Sequence, residues 1–335
     1  MKEAYLYEKL KNENVRCFLC NHKCIIKDGE KGICGVRENH SGTLISLVYG
    51  KVIATHPDPI EKKPLFHFLP GSRSYSIATV GCNFRCLFCQ NADISQMPFD
   101  NRIMGEDMSP DQIVDKALDT NSVTIAYTYT EPTIYFELAL DTARLAASKG
   151  LKNVFVSNGY MTGQCLKEIS PDLHAANVDL KAFNDRFYKE QCGAKLAPVL
   201  KTLEIMKETG VWLEVTTLLI PGLNDSPQEL RDLTRFLSDL DRDIPWHISR
   251  FYPTYRLTNI HPTPPESIRR ARDIGYEAGL KYVYSGNIPG DDGEKTFCHN
   301  CGKLLIDRFG FSVIQNKIKK NQCPDCGANI PGVWD

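Results

Sequence analysis

The sequence predicts an α/β protein whose middle part is built from successive βα units with parallel strands. Two observations predict it. Strand-like and helix-like segments alternate six or seven times through residues 71–290. Alternation of this kind gives parallel strands joined by crossover helices. Polar residues recur where the strand-like segments end, and in a barrel or an open sheet that is where chemistry sits.

Each element has a local reason. Ser74 to Val80 reads as the first strand of the repeat. Ser109-Pro110-Asp111-Gln112 reads as a helix start: a Ser cap, Pro at the first helical position, and Gln three residues past the cap. That helix runs to about Asp119. Val123 to Tyr127 is a strand, and about Pro132 to Ser148 is a helix that Gly150 ends. Asn153 to Ser157 and Asn177 to Leu180 are strands. Pro198 to Glu208 is a helix closed by Gly210, and Trp212 to Ile220 is a strand broken by Pro221-Gly222. Ser226 caps a helix that opens on Pro227 and ends near Leu237. Trp246 to Phe251 is a strand, Pro265 to Ala278 a helix, and Lys281 to Tyr284 the last strand. The choice lies between a closed or partial (β/α) barrel and an open doubly wound sheet. No Gly-x-Gly-x-x-Gly follows the first strand, which weakens a dinucleotide-binding reading.

The ends differ from this middle. Residues 1–70 form a Cys-rich segment with little repeating pattern. Residues 291–335 form a second one, after the loop-like Gly286-Asn287-Ile288-Pro289-Gly290. Of 335 residues, 42% are hydrophobic and 24% charged, and the net charge is −1. No overall basic field points to nucleic acid or to an anionic membrane. No uncharged apolar run approaches the roughly 18 residues of a membrane span. The polar N-terminus does not read as a signal peptide, so the expected location is cytoplasmic. Disulfides are disfavoured there, and thirteen cysteines, eleven of them in three clusters, point to metal instead.

Gly81-Cys82-Asn83-Phe84-Arg85-Cys86-Leu87-Phe88-Cys89-Gln90-Asn91 is the most informative stretch. Three thiolates on one tight loop can bind three irons of a four-iron cluster and leave the fourth open. An open position suits a reactive site, whereas a structural site is closed. The competing reading is a zinc knuckle that takes a fourth ligand from elsewhere.

The Cys-x3-Cys-x2-Cys spacing matches the signature of the radical S-adenosylmethionine (SAM) superfamily, and the resemblance covers nearly the whole chain. It is carried by Asp58-Pro59-Ile60-Glu61-Lys62-Lys63-Pro64-Leu65-Phe66-His67-Phe68, Cys89-Gln90-Asn91, Tyr129-Thr130-Glu131-Pro132-Thr133, Asp179-Leu180-Lys181, and Cys17-x2-Cys20-x3-Cys24. Together these resemble the AmmeMemoRadiSam-system radical SAM proteins, relatives of the pyruvate formate-lyase activating enzymes. The resemblance implies a partial (β/α)6 TIM-like barrel with a [4Fe–4S] cluster on Cys82, Cys86 and Cys89. It implies that SAM chelates the open iron and is cleaved reductively to a 5′-deoxyadenosyl radical, which takes hydrogen from an unidentified substrate. A reductant such as flavodoxin or ferredoxin is implied, and a protein partner would fit.

The resemblance also implies residue roles. Glu131 stands where the superfamily's Gly-Gly-Glu-Pro places the acceptor for the SAM amino group, although the Gly-Gly pair is absent here. Its structural alternative is to support the next helix start through the dipole. Ser157-Asn158-Gly159 resembles the activases' Thr-Asn-Gly, with Val156 where they carry Asp; an ordinary Asn-Gly turn is the alternative. Asp179 and Lys181 match the activases' Asp-x-Lys and alternate on one strand face; the alternative is an internal ion pair. His247, at the start of the sixth strand, could reach the site or be structural. Glu61, Lys62, Lys63 and His67 have no assigned role.

Cys298-x2-Cys301-Gly302 and Cys323-x2-Cys326-Gly327 form a pair of knuckles, a zinc-ribbon or rubredoxin-like signal with zinc the expected ion. Cys17, Cys20, Cys24 and Cys34 could hold zinc or an auxiliary iron–sulfur cluster, and His22 could replace one Cys. Cys165 and Cys192 stand apart and read as buried thiols. Three functions compete. They are a radical SAM enzyme acting on a small molecule, an activase that makes a glycyl radical on a protein, and a zinc-binding nucleic-acid or scaffold protein without turnover.

Overall fold

The computed structural model describes residues 2–100, 102–286, 288 and 291–334. Of the loop expected at 286–290, Asn287, Pro289 and Gly290 lie outside the described residues. The central sheet has eight strands: β1 (Ala54–Pro59), β2 (Arg73–Ala78), β3 (Thr124–Tyr127), β4 (Lys152–Ser157), β5 (Ala175–Asp179), β6 (Trp212–Leu219), β7 (Trp246–Arg250) and β8 (Val283–Gly286). Their order across the sheet is their order in sequence. A doubly wound sheet reverses its order at a switch point; this one does not, so the open-sheet alternative is excluded. β2 to β8 are parallel, and β1 runs antiparallel on β2. No pairing joins β1 to β8 among the described residues, so the barrel is partial.

Six helices alternate with the parallel strands among the described residues: α1 (Pro110–Asp119), α2 (Phe136–Ser148), α3 (Gly163–Ile169), α4 (Leu196–Glu208), α5 (Pro227–Leu240) and α6 (Pro265–Glu277). The starts read from sequence have the expected chemistry. Ser109 accepts from Gln112 N while the Gln112 side chain accepts from Ser109 N, closing a capping box. Ser226 accepts from Glu229 N. One helix escaped the sequence reading. α3 is short and opens on a glycine, with Thr162 as its cap, so it carries too few apolar positions to show a period.

Residues 54–59, read from sequence as part of the N-terminal segment, form β1. Pro57 and Pro59 cannot donate to a ladder, which confines such a strand to the edge. Residues 60–69 then enter the lumen. Ile60, Leu65 and Phe68 pack on Ala126, Val154 and Ala175, which face inward from β3, β4 and β5. Phe66 N and His67 N donate to Glu214, near the start of β6. This segment therefore fills the N-terminal half of the lumen and leaves the C-terminal mouth to the site.

The C-terminal tail makes a three-stranded sheet: β9 (Thr296–Phe297), β10 (Leu304–Phe309) and β11 (Ser312–Asn316). Leu305, Ile306 and Ile330 pack on Phe66, Tyr282 and Tyr284, and buried Arg308 donates to Phe66 O at 2.7 Å. The tail thus covers the lumen segment from outside. At the other end, two small sheets before residue 47 share the main core through Val15, Leu19, Ile26 and Val36.

Candidate active site

The three-cysteine loop leaves the C-terminal end of β2. Its path is held from several sides. Arg85 N donates to Cys192 O at 2.8 Å, and Leu87 N to Gln191 O at 2.9 Å. These carbonyls belong to a π-helical turn, Tyr188–Cys192, of the kind that recurs at functional sites. Gly81 has φ +102°, and a β-carbon there would stand 2.7 Å from Val36 Cγ1 and 3.2 Å from Cys34 O. Only glycine lets the loop start so close to the N-terminal segment.

Most of the residues singled out by sequence converge on this loop. Asn158 Nδ2 donates to Asn83 Oδ1 at 2.7 Å and stands 3.8 Å from Cys82 Sγ. Glu131 lies beneath Asn158. Its Oε1 accepts from Thr133 N, Thr133 Oγ1 and Ser157 Oγ, and its Oε2 accepts from Asn158 N at 2.8 Å. Oε2 therefore keeps a lone pair for one more donor. Burial pushes the Glu131 pKa up against these hydrogen bonds. Lys181 pairs with Asp179 at 2.9 Å. Burial opposes its charge, but Asp179 and Cys86 outweigh burial and hold the ammonium above its ordinary value.

His247 is not part of this convergence. Its Nε2 lies 2.6 Å from Glu214 Oε2, and its ring stacks on Tyr284 and meets Phe66 edge-on. Phe66 belongs to the lumen segment, and Glu214 and Tyr284 stand on β6 and β8 beside it. The expected reach to the site is corrected here: a buried carboxylate one strand away has claimed the imidazole.

Two groups were missed by sequence reasoning. Cys192, read as a buried thiol standing apart, lies near enough to the Cys86 sulfur to lower the Cys86 pKa, helped by Lys181. A hundred residues of separation hid this contact. The second is Asp58, which accepts from Lys62, Lys63, Ser76 and Tyr129. Lys63 is only 1% exposed, lies over the Tyr129 ring, and is pushed down to about 8 by burial. Tyr129 has φ +60° and its carbonyl accepts from Asn91, just beyond Cys89. A strained residue that ties the loop to a buried ion pair is a functional signal, but a run of lysines in sequence reads as surface.

The donor set fits a cationic metal cluster. Burial pushes the Cys82 and Cys89 thiols up, so bare thiolates are disfavoured until positive charge replaces the protons. Asn83 Nδ2 is buried beside the loop with no hydrogen-bond partner, a donor left over for a group seated there. On the loop's outer side lies a cavity of about 440 Å³ lined by Arg85, Arg102, Arg256, Phe99 and Tyr255.

The ribbon cysteines differ. All four sulfur atoms lie within 4.8 Å of one another, with Cys298–Cys326 and Cys301–Cys323 at 3.7 Å. Gly302 and Gly327, at φ +71° and +73°, make the two tight turns.

A partial parallel barrel with an open cysteine loop at its strand ends defines a metal-dependent enzyme. Residues 76–237 match the Radical SAM superfamily. An uncharacterised protein of Methanocaldococcus jannaschii is 48% identical over 98% of this chain and 99% of its own length. A putative glycyl-radical enzyme activating enzyme of the same organism is 26% identical over 63% of this chain and 79% of its own. A radical SAM methyltransferase from Sphaerobacter thermophilus shares the fold, with a TM-score of 0.52 over 71% of each chain at 16% identity. The chain belongs to the radical SAM superfamily and is similar to the pyruvate formate-lyase activating enzymes. The family implies a [4Fe–4S] cluster and SAM. No helix among the described residues is long and apolar enough to cross a membrane.

Proposed function

We propose that Cys82, Cys86 and Cys89 hold the [4Fe–4S] cluster and that the lumen above Asp58 and Lys63 receives the substrate. When bound, the cluster and SAM supply reductive cleavage of a carbon–sulfur bond and a 5′-deoxyadenosyl radical that abstracts hydrogen. The chain's own residues do the positioning. Glu131 offers Oε2 to the SAM amino group, Asn158 steadies the loop at Cys82, and Lys181 with Asp179 sets the charge beside Cys86. Lys63 and Tyr129, both bonded to Asp58, fix the floor on which a polar substrate would rest. The observation that carries this reading is the convergence of Asn158, Glu131 and Lys181 on a loop of three thiols. Electron paramagnetic resonance (EPR) of the reduced protein tests it: SAM is expected to alter the cluster signal in wild type, and Cys86→Ala to abolish that response. A SAM-indifferent wild-type signal would overturn it.

A glycyl-radical activase is the second reading, favoured by the activating enzymes among the relatives. Incubation with a glycyl-radical protein would then yield a glycyl signal, and its absence across candidates counts against this reading. The ribbon cysteines are proposed to hold one zinc: a tetrahedron with Zn–S of about 2.3 Å has edges of about 3.8 Å, close to the observed sulfur spacing. The arginine-lined cavity suits an acidic electron carrier of the flavodoxin or ferredoxin kind. A cytoplasmic location is proposed on the thirteen cysteines, all free thiols.

A further inference from the structure

Cys17, Cys20, Cys24 and Cys34 face one small cavity whose remaining wall is mostly apolar, with Ile26 and Ile134 among its lining. Arg37 shares this wall and is 2% exposed. Its Nη2 donates to Tyr5 O at 2.5 Å and pairs with Glu137 at 3.1 Å. Its Nε and Nη1 have no hydrogen-bond partner. A buried guanidinium almost always uses its donors. Neutral thiols are weak acceptors, whereas thiolates and inorganic sulfide are strong ones. The arrangement therefore asks for negative sulfur in the cavity.

Four thiolates alone could serve zinc or a cluster, and spacing separates the two. A single tetrahedral ion draws its sulfurs to about 3.8 Å, as in the ribbon. Among the described residues, the ribbon set is the one whose ligand atoms all lie within 4.8 Å of one another. Neither the N-terminal set nor the Cys82, Cys86 and Cys89 set is gathered into such a group. A cluster gives each thiolate its own iron and so accommodates wider spacing.

We propose that Cys17, Cys20, Cys24 and Cys34 hold a second [4Fe–4S] cluster, closed by four thiolates, with Arg37 as its internal counter-cation. With every iron ligated by protein, this cluster has no position for SAM. It sits against the first loop: Arg85, between Cys82 and Cys86, donates to Ile33 O at 3.0 Å, and Cys34 O borders Gly81. The inference rests on the proposed function only for the identity of the neighbouring cluster.

The test uses the full chain with Cys82→Ala, Cys86→Ala and Cys89→Ala combined, purified without oxygen. Iron, sulfide and zinc are counted per chain, and the reduced protein is examined by EPR. The expected result is about four iron and four sulfide ions per chain, with a signal that SAM does not alter. A variant with zinc in place of iron overturns the proposal. Deoxyadenosine formation by wild type is scored separately. Its absence beside retained iron would sink the radical reaction and leave the second cluster standing. Cys20→Ser with Cys24→Ser should halve wild-type iron and keep the SAM-responsive signal; unchanged iron contradicts the assignment. Should that variant fail to fold, the triple variant still decides. Arg37→Gln should lower the midpoint potential of the SAM-insensitive signal, and Arg37→Lys should restore most of it. An unmoved potential removes Arg37 from its role.

Discussion

The ribbon and the loop after β2 both gather cysteines, yet they do so in opposite ways. In the ribbon, two knuckles present four sulfurs within 4.8 Å of one another, and the neighbouring side chain that reaches them is Asn300. On the loop, three sulfurs are surrounded by Asn158, Lys181, Cys192 and, one contact further, Glu131. The first arrangement has the ligands to saturate one ion, with Cys298 and Cys323 buried and Cys301 and Cys326 at the surface. The second, holding the proposed cluster, would leave one position open beside groups placed to orient and charge whatever enters. Ligand number together with supporting polar residues distinguishes a structural metal site from a reactive one.

Five experiments break or sharpen this contrast. The largest effect is expected from Cys86→Ala, which should remove deoxyadenosine formation entirely and leave ribbon zinc intact by metal analysis. Cys301→Ser with Cys326→Ser should do the reverse, keeping iron while lowering the melting temperature by about 5–10 °C, because a structural ion contributes directly to folding. Loss of cluster iron in that variant would show the two sites to be interdependent.

The buried ion pair gives two pH predictions. Lys63, pushed down to about 8, should impose a fall in turnover as pH rises through that value. Lys63→Met should lower turnover by about tenfold, the scale of one lost charged contact, and remove that limb of the pH profile. Asp58 is held well below its ordinary value of 3.8: burial opposes ionisation, but Lys62, Lys63 and Tyr129 outweigh it. A depressed carboxyl contributes stability above its unfolded value and loses it as pH falls. Thermal melts between pH 6 and 3 should therefore drop more steeply in wild type than in Asp58→Asn. The smallest effect belongs to Arg256→Glu on the outer cavity. Turnover with an acidic carrier protein should fall about threefold and lose its salt dependence, while turnover with dithionite should not change.

Much of the barrel was legible in sequence because its signals are local. Caps at Ser109 and Ser226, stops at Gly150 and Gly210, and short β-rich runs each speak for their own element. The cysteine loop was legible for the same reason, since three ligands within eight residues need no tertiary information. What stayed hidden depends on distance along the chain. Cys192 reaches Cys86 only because the π-helical turn folds over the loop. Lys63 is buried only because residues 60–69 turn into the lumen. His247 looked available because nothing in sequence shows Glu214 beside it. The central sheet's edge strand was overlooked because its prolines resemble a loop until a partner strand is present.

The most direct test of the central claim is deoxyadenosine formation. Wild type and Cys86→Ala are reduced anaerobically with SAM, and the product is quantified. The account predicts deoxyadenosine from wild type and none from the variant. Product from neither, with zinc as the only metal bound, would contradict it.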